Sequence, residues 1–268
     1  MSDATSVRAG SAHVAPMLAA VAASLPISLR TASDAAAVAI DGGGDWVAEA
    51  LAAISEGARG VAVHHPCALP GDAMEQLRDT AHARGVSVML RASWEQHPSL
   101  FSLGDALTAR DEVNLIDCLA SGNRAQPWSP LFDQLLFVLR HIGPIAHLTC
   151  DYMAANGHIA RAETVADRAP IALTWAADGG LPKLDLRVVS RASMVQVLVE
   201  EDERWLPLRA VRFDERGEHG FAPEWESADR AIWRRLHKAV ASGETNLDDL
   251  EHALHARRAI DAMRGPAR

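Results

Sequence analysis

The chain has 268 residues, 49% of them hydrophobic and 23% charged, which is globular composition and enough for one large domain or two smaller ones. A formal charge of −9 speaks against a nucleic-acid partner, because a phosphate-backbone binder needs clustered Lys and Arg and no basic run here is long enough. Cys67, Cys118 and Cys150 form an odd set without CxxC spacing, and no apolar run reaches the roughly 20 residues of a bilayer span. Val14–Pro26 has the apolar length of a signal-peptide core, but the preceding segment carries Asp3 with Arg8 and no basic cluster. A reducing, cytoplasmic setting is therefore expected.

In chain order, Pro16–Ala23 reads as an alanine-rich helix, and Ile27–Arg30 and Ala37–Ile40 as short strands. Asp45 is placed to cap a helix whose apolar stripe is Trp46, Ala50, Ala53 and Ile54, with Gly57 as its stop. Val61–Val63 is the next strand, 72–84 the next helix with Gly85 at its end, and Val86–Leu90 another strand. Strand and helix alternate at a spacing that predicts a parallel sheet of about four strands with right-handed crossovers.

Beyond Pro98 the pattern changes. Six runs, in "VNLIDCLA", "IAHLTCDYMAA", "APIALTWAA", "KLDLRVVSR", "SMVQVLVEE" and "WLPLRAVRFD", read as strands, several alternating apolar and polar residues as an antiparallel sheet with one covered face does. One helix, about 131–142, interrupts them, and two more, about 226–242 and 247–263, close the chain, with Asn246 as a cap for the last. The predicted organisation is a parallel-sheet domain over 1–98, an antiparallel-sheet domain over 99–225, and C-terminal helices over 226–268 that pack back on the core.

The stretch "GARGVAVHHPCAL" delivers two adjacent histidines, His64 and His65, to the C-terminal edge of a parallel strand, where α/β sheets bind ligands. With Cys67 they suggest the start of a zinc site, but neighbouring strand residues face opposite ways, which favours one histidine in a cleft and one under a helix. Pro66 biases His65 toward extended geometry. Gly42-Gly43-Gly44 precedes a helix and suits an anion cradle; against this, the Asp45 carboxylate would occupy the same N-terminal donors. Arg234, Arg235 and Lys238 read as a solvated helix face, and Trp175, Trp205, Trp225 and Trp233 as core or interface anchors. Asp133, among Phe132, Leu135, Leu136 and Phe137, is either a buried carboxyl or an exposed residue of the first helical turn.

These stretches, in this order, resemble the glucose–fructose oxidoreductase-like (Gfo/Idh/MocA) family from about Ala36 to Met263. "AAVAIDGGGDWVAEALAAISEGARGVAVHHPCAL" is similar to the strand, ligand loop and helix that lead to the family's Glu-Lys-Pro signature. His97-Pro98 stands at its histidine-proline, "LFDQLLFVLRHIGPI" at the helix of its catalytic histidine, and "AIWRRLHKAVASGETNLDDLEHALHARRAIDAM" at its closing helix pair. The resemblance implies a Rossmann-like parallel sheet followed by a mostly antiparallel, open-faced sheet domain. It also shows departures. About sixty residues precede the signature and no GxGxxG occurs, so the first strand, Gly-rich turn and helix read as missing, and no NAD or NADP cofactor is expected. His64 takes the glutamate position and His65 that of the lysine that polarises the substrate. Asp133 matches the helix's early Asp or its His, His141 lies near the far end, and no histidine holds the catalytic position. Ser93-Trp94-Glu95 replaces an asparagine-arginine-arginine stretch.

Three readings follow. The first is a degenerate, non-catalytic homologue that partners itself or a full-length relative through the sheet domain, with Trp175, Val188, Met194, Val197 and Val199 as candidate interface residues. The second is a cofactor-independent isomerase, epimerase or lyase in which His65, His64 and Asp133 move protons on a sugar-like or hydroxy-acid substrate. The third is an NAD(P)-dependent oxidoreductase with an atypical cofactor domain.

Overall fold

The structure is a computed structural model that describes residues 4–108, 112–123, 128–200 and 207–264. The described residues form two compact units, one from the residues up to Ala92 with Ala228–Arg257, the other from Ser93–Ser227 with the residues from Arg258 on.

The first unit holds β1 (Thr5–Ala9), α1 (Ala15–Ser24), β2 (Leu29–Thr31), β3 (Ala37–Asp41), α2 (Trp46–Ser55), β4 (Gly60–His64), α3 (Gly71–Arg84) and β5 (Ser87–Arg91). The strands form one parallel sheet of order β2-β1-β3-β4-β5. β4 and β5 are buried at every position, which is why they read as continuous apolar runs. Asp45 caps α2 by accepting from Ala48 N at 3.2 Å, and Gly85, at φ 66°, ends α3 in the left-handed region.

Two expectations are corrected here. The sheet has five strands, and the first strand–turn–helix unit is present as β1 and α1. β1 has little sequence signal, because only Thr5 and Val7 of its five residues are buried. Removing the third strand from the doubly wound order 3-2-1-4-5-6 leaves 2-1-4-5-6, which is the order observed. The truncation therefore falls between β2 and β3, where residues 32–36 make the crossover and Ala36 N donates to Ser6 Oγ at 2.9 Å.

The second unit holds α4 (Pro98–Ser102), α5 (Gly104–Thr108), β6 (Val113–Gly122), α6 (Trp128–His141), β7 (Ile145–Ala154), β8 (Gly157–Thr164), β9 (Pro170–Ala177), β10 (Lys183–Ser190), β11 (Ser193–Glu200), β12 (Arg209–Asp214) and β13 (Gly217–Gly220). Its sheet has eight strands rather than six, in the order β13-β12-β11-β10-β6-β9-β8-β7. β6 and β9 pair in parallel, the other neighbours antiparallel.

Alternation divides the faces of this sheet. Ile116, Cys118 and Ala120 of β6 are buried, whereas Leu115 and Leu119 are 38% and 42% exposed. Gln134 of α6 pins the helix to the covered face, donating to Cys118 O at 2.8 Å and Thr174 O at 2.9 Å while its Oε1 meets His158 Nε2 at 2.7 Å. The interface candidates need correction as well. Trp175, Val188, Val197 and Val199 lie on the buried face, and only Met194 is partly exposed. Of the other tryptophans, Trp233 is buried, Trp225 is 73% exposed, and Trp205 lies outside the described residues.

α7 (Ala228–Ser242) and α8 (Asp248–Arg264) close the chain. Trp233, Leu236 and Val240 of α7 join Leu18 and Val21 of α1 in one core with Val7, Ala39, Ala62 and Met89 of the parallel sheet. The turn between α7 and α8 seals the outer edge of β5: Val88 N donates to Asn246 O at 3.0 Å and Leu90 N to Asp249 Oδ2 at 2.9 Å. Asp249 also meets Arg235 at 3.1 Å, so that part of the basic run is a structural ion pair rather than a solvated face.

Candidate functional site

The C-terminal edge of the parallel sheet carries the charged residues. His64, the last residue of β4, is 4% exposed and turned into the helix layer. Its ring stacks on Trp233 at 6.2 Å and its Nδ1 lies 3.5 Å from Asp229 Oδ1, both partners belonging to α7. Arg91, the last residue of β5, brings Nε to 3.2 Å from the same oxygen. Burial pushes the Asp229 carboxyl up, but the Arg91 charge, the bond from His64 and the charges of His64 and His65 outweigh it, so the group lies well below the usual carboxylate range.

His65 is exposed, and its backbone is not extended. It sits at φ 53°, in the left-handed region, with its N–H donating to Arg91 O at 2.7 Å. The cause is the turn that follows β4. His64 O accepts from Gly42 N at 2.7 Å and Cys67 N donates to Gly42 O at 2.9 Å, with Gly42 packed so closely that a Cβ there would lie 2.4 Å from Pro66 Cα. These bonds override the bias set by Pro66, at a local cost of order 1–3 kcal/mol for a non-glycine residue.

The Gly42-Gly43-Gly44 loop is a turn and not an anion cradle. Gly43 N donates to Asp41 Oδ1 at 3.1 Å, and the Asp45 carboxylate occupies the Ala48 N–H at the start of α2. Burial pushes the Cys67 thiol up, with Asp45 and Asp41 adding to the effect, so it is poorly suited to ligate metal as thiolate. Among the described residues no three His, Cys, Asp or Glu side chains gather as a metal site.

In the second unit, Asp133 is 2% exposed and accepts from Ser93 Oγ at 2.9 Å. It is thus a buried carboxyl in the second turn of α6, not an exposed residue of the first. One turn on, Phe137 is fully buried, and His141 Nε2 meets Glu95 O at 2.7 Å with its ring 5.0 Å from Phe137. Within their own units, the structure brings His64 to Asp229 and Asp133 to Ser93. Asp229 was invisible to pattern reading, because it lies 165 residues beyond His64 (229 − 64) in a helix that reads as amphipathic.

A dinucleotide needs a strand–turn–helix with glycines for close phosphate approach. Between β1 and α1 the sequence Gly10-Ser11-Ala12-His13-Val14-Ala15 occupies that place. Glycine suits position 10, since a Cβ there would lie 3.0 Å from Ala39 O, a tight approach. Ala15 suits the third position, which accepts glycine or alanine. Ala12 puts a methyl at the second, where phosphate approaches the backbone. No side chain caps α1 at Val14, and Pro16 removes one of its first N–H donors. A groove of about 330 Å³ runs beside this turn, lined by Val7, Ala9, Ala15, Leu18, Thr31 and Ala32 among others. The residues fit a dinucleotide in topology and in two of three glycine positions, and misfit it at Ala12.

No family model matches the chain, and no curated protein matches it. Solved structures do. A candidate NADPH-dependent oxidoreductase from Desulfitobacterium hafniense superposes with a TM-score of 0.79 at 14% identity, over 98% of this chain and 95% of its own. KijD10, a 3-ketoreductase from Actinomadura kijaniata solved with TDP-benzene and NADP in an open conformation, gives 0.69 at 15% identity over 88% and 79%. UDP-N-acetylglucosamine 3-dehydrogenase GnnA from Acidithiobacillus ferrooxidans gives 0.66 at 16% identity over 91% and 84%. A parallel-sheet unit, a mostly antiparallel eight-stranded sheet and closing helices give this chain the fold of the glucose–fructose oxidoreductase-like (Gfo/Idh/MocA) proteins.

Proposed function

We propose that the protein is a non-catalytic subunit built on an oxidoreductase fold, which pairs through the open face of its eight-stranded sheet with a second copy or with an intact relative. The observation that carries this reading is the state of the reaction positions. The histidine in the lysine position, His65, lies in a strained turn, His64 is held against Asp229 and Trp233, and Phe137 stands one turn from Asp133 on the helix that should carry a catalytic histidine. None of these supplies the fixed cation that polarises a carbonyl during hydride transfer. The open face bears Leu115, Leu119 and Ile159, each more than one-third exposed, on a surface otherwise set with Asp117, Asp185, Arg187 and Gln196. Leu119 and Ile159 share one row with Thr174 across β6, β9 and β8, and this part of the face suits contact with a partner.

The β1–α1 turn favours a second reading, an NAD(P)-dependent oxidoreductase with an altered proton donor. Calorimetric titration with NADPH and NADH, paired with native mass spectrometry of the protein with its genomic neighbours, separates the two. A second copy or an intact relative in the mass spectrum, with dinucleotide dissociation constants weaker than about 1 mM, is the expected result. Micromolar NADPH affinity together with a monomeric mass would replace the first reading by the second.

A further inference from the structure

A second cavity, in the second unit, belongs to none of these reaction positions. It encloses about 210 Å³ between α4, β12 and residues 221–224. Its walls are apolar, with Leu103 and Leu208 almost fully buried and Phe221 half-buried. An apolar cavity of roughly 150 Å³ holds a benzene ring, so this one takes a single ring with a short substituent.

Its polar side chains are few, and only one of them, Glu224, is charged. Glu224 lines the cavity and accepts a hydrogen bond from Ser102, another lining residue. Among the described residues no cation pairs with the Glu224 carboxylate. Ser99 also lines the cavity, and its hydroxyl is buried without a hydrogen-bond partner. A pocket of apolar wall with a few oriented polar groups is the usual form of a small-molecule site. Exposed aromatics stand next in the chain to two lining residues: Phe101, 47% exposed, precedes Ser102, and Trp225, 73% exposed, follows Glu224.

We infer that this cavity binds a small monocyclic amine, its ring against Leu103, Leu208 and Phe221 and its ammonium group at Glu224. The carboxylate sets the sign of the ligand, because an anion would meet an uncompensated like charge and a neutral alcohol would forgo a charge-assisted bond.

The test uses benzylamine, benzyl alcohol and benzoate as probes of one shape and three charges, titrated by NMR against the full-length protein. Benzylamine is expected to bind with a dissociation constant of about 0.1–10 mM, the range open to a ligand of so few atoms. It should bind at least about fivefold more tightly than benzyl alcohol, with benzoate weaker than both. Glu224→Gln should bring benzylamine to the level of benzyl alcohol. Leu103→Trp should abolish both by filling the space; if that variant melts early, the Glu224→Gln comparison alone decides. Absence of benzylamine binding at about 20 mM, equal binding of benzoate, or an unchanged preference in Glu224→Gln would each overturn the assignment.

Discussion

At the scale of the residue, Asp229 organises the C-terminal edge of the parallel sheet. Arg91 and His64 both reach its Oδ1, and both are nearly buried, with side-chain exposures of 11% and 5%. Without the carboxylate, a guanidinium would be left buried beside an imidazole. Asp229→Ala should therefore cost about 1–3 kcal/mol in urea unfolding. The sign of its pH dependence follows from the direction of its shift. A carboxyl whose folded value is depressed stabilises above the unfolded value, about 3.9, and loses that contribution as pH falls toward the folded value. The stability gap between wild type and Asp229→Ala should be fully developed above about pH 5 and shrink below about pH 4. A gap that widens on acidification would contradict the assignment. His64 and His65 stood out in the sequence because they end an apolar run. Asp229 did not, since its partners come from other strands and only the fold brings them within reach.

At the scale of the element, legibility tracked burial. β3, β4 and β5 were readable because their side chains are buried on both faces and their helices carry clear stops and caps. β13, the sequence Gly-Glu-His-Gly, is exposed throughout and left no apolar trace. β8 alternates as a strand should, but its covered positions are His158, Ala160, Ala162 and Thr164, small or polar residues that leave the apolar pattern faint. β1 was hidden by its polar half, and with it the turn that would meet a dinucleotide. One contact shows how closely the elements are fitted. A Cβ on Gly60 of β4 would lie 2.8 Å from Val240 Cγ2 and 2.9 Å from Leu236 Cδ1, so these two side chains of α7 rest directly on the strand backbone. Gly60→Val should then force α7 outward and cost about 1–3 kcal/mol. Denaturant unfolding checks this, and a variant as stable as wild type would mean that α7 yields without cost.

At the scale of the whole molecule, the first unit is discontinuous in sequence: its sheet comes from the N-terminal third, its cover from Ala228–Arg257. Three kinds of contact bind the two segments. Trp233, Leu236 and Val240 share the core with Ala39, Ala62 and Met89; Asp229 neutralises Arg91; and the 244–249 turn satisfies the N–H groups of Val88 and Leu90 along the outer edge of β5. Each is lost at once if the chain stops at Ser227. The sheet would then expose one apolar face, a buried arginine and an open strand edge, the combination that leads to edge-to-edge association. The second unit keeps its own core under α6, with Phe132, Phe137 and Trp175 fully or almost fully buried. A 1–227 truncation should accordingly unfold the first unit and leave the sheet of the second folded. Hydrogen exchange should remain slow in β6 and β9–β11 and become fast across β3–β5, and the product should aggregate at concentrations where the full chain does not. If β3–β5 stayed protected, the helices at the end of the chain would be an accessory to the parallel sheet and not the layer that completes it.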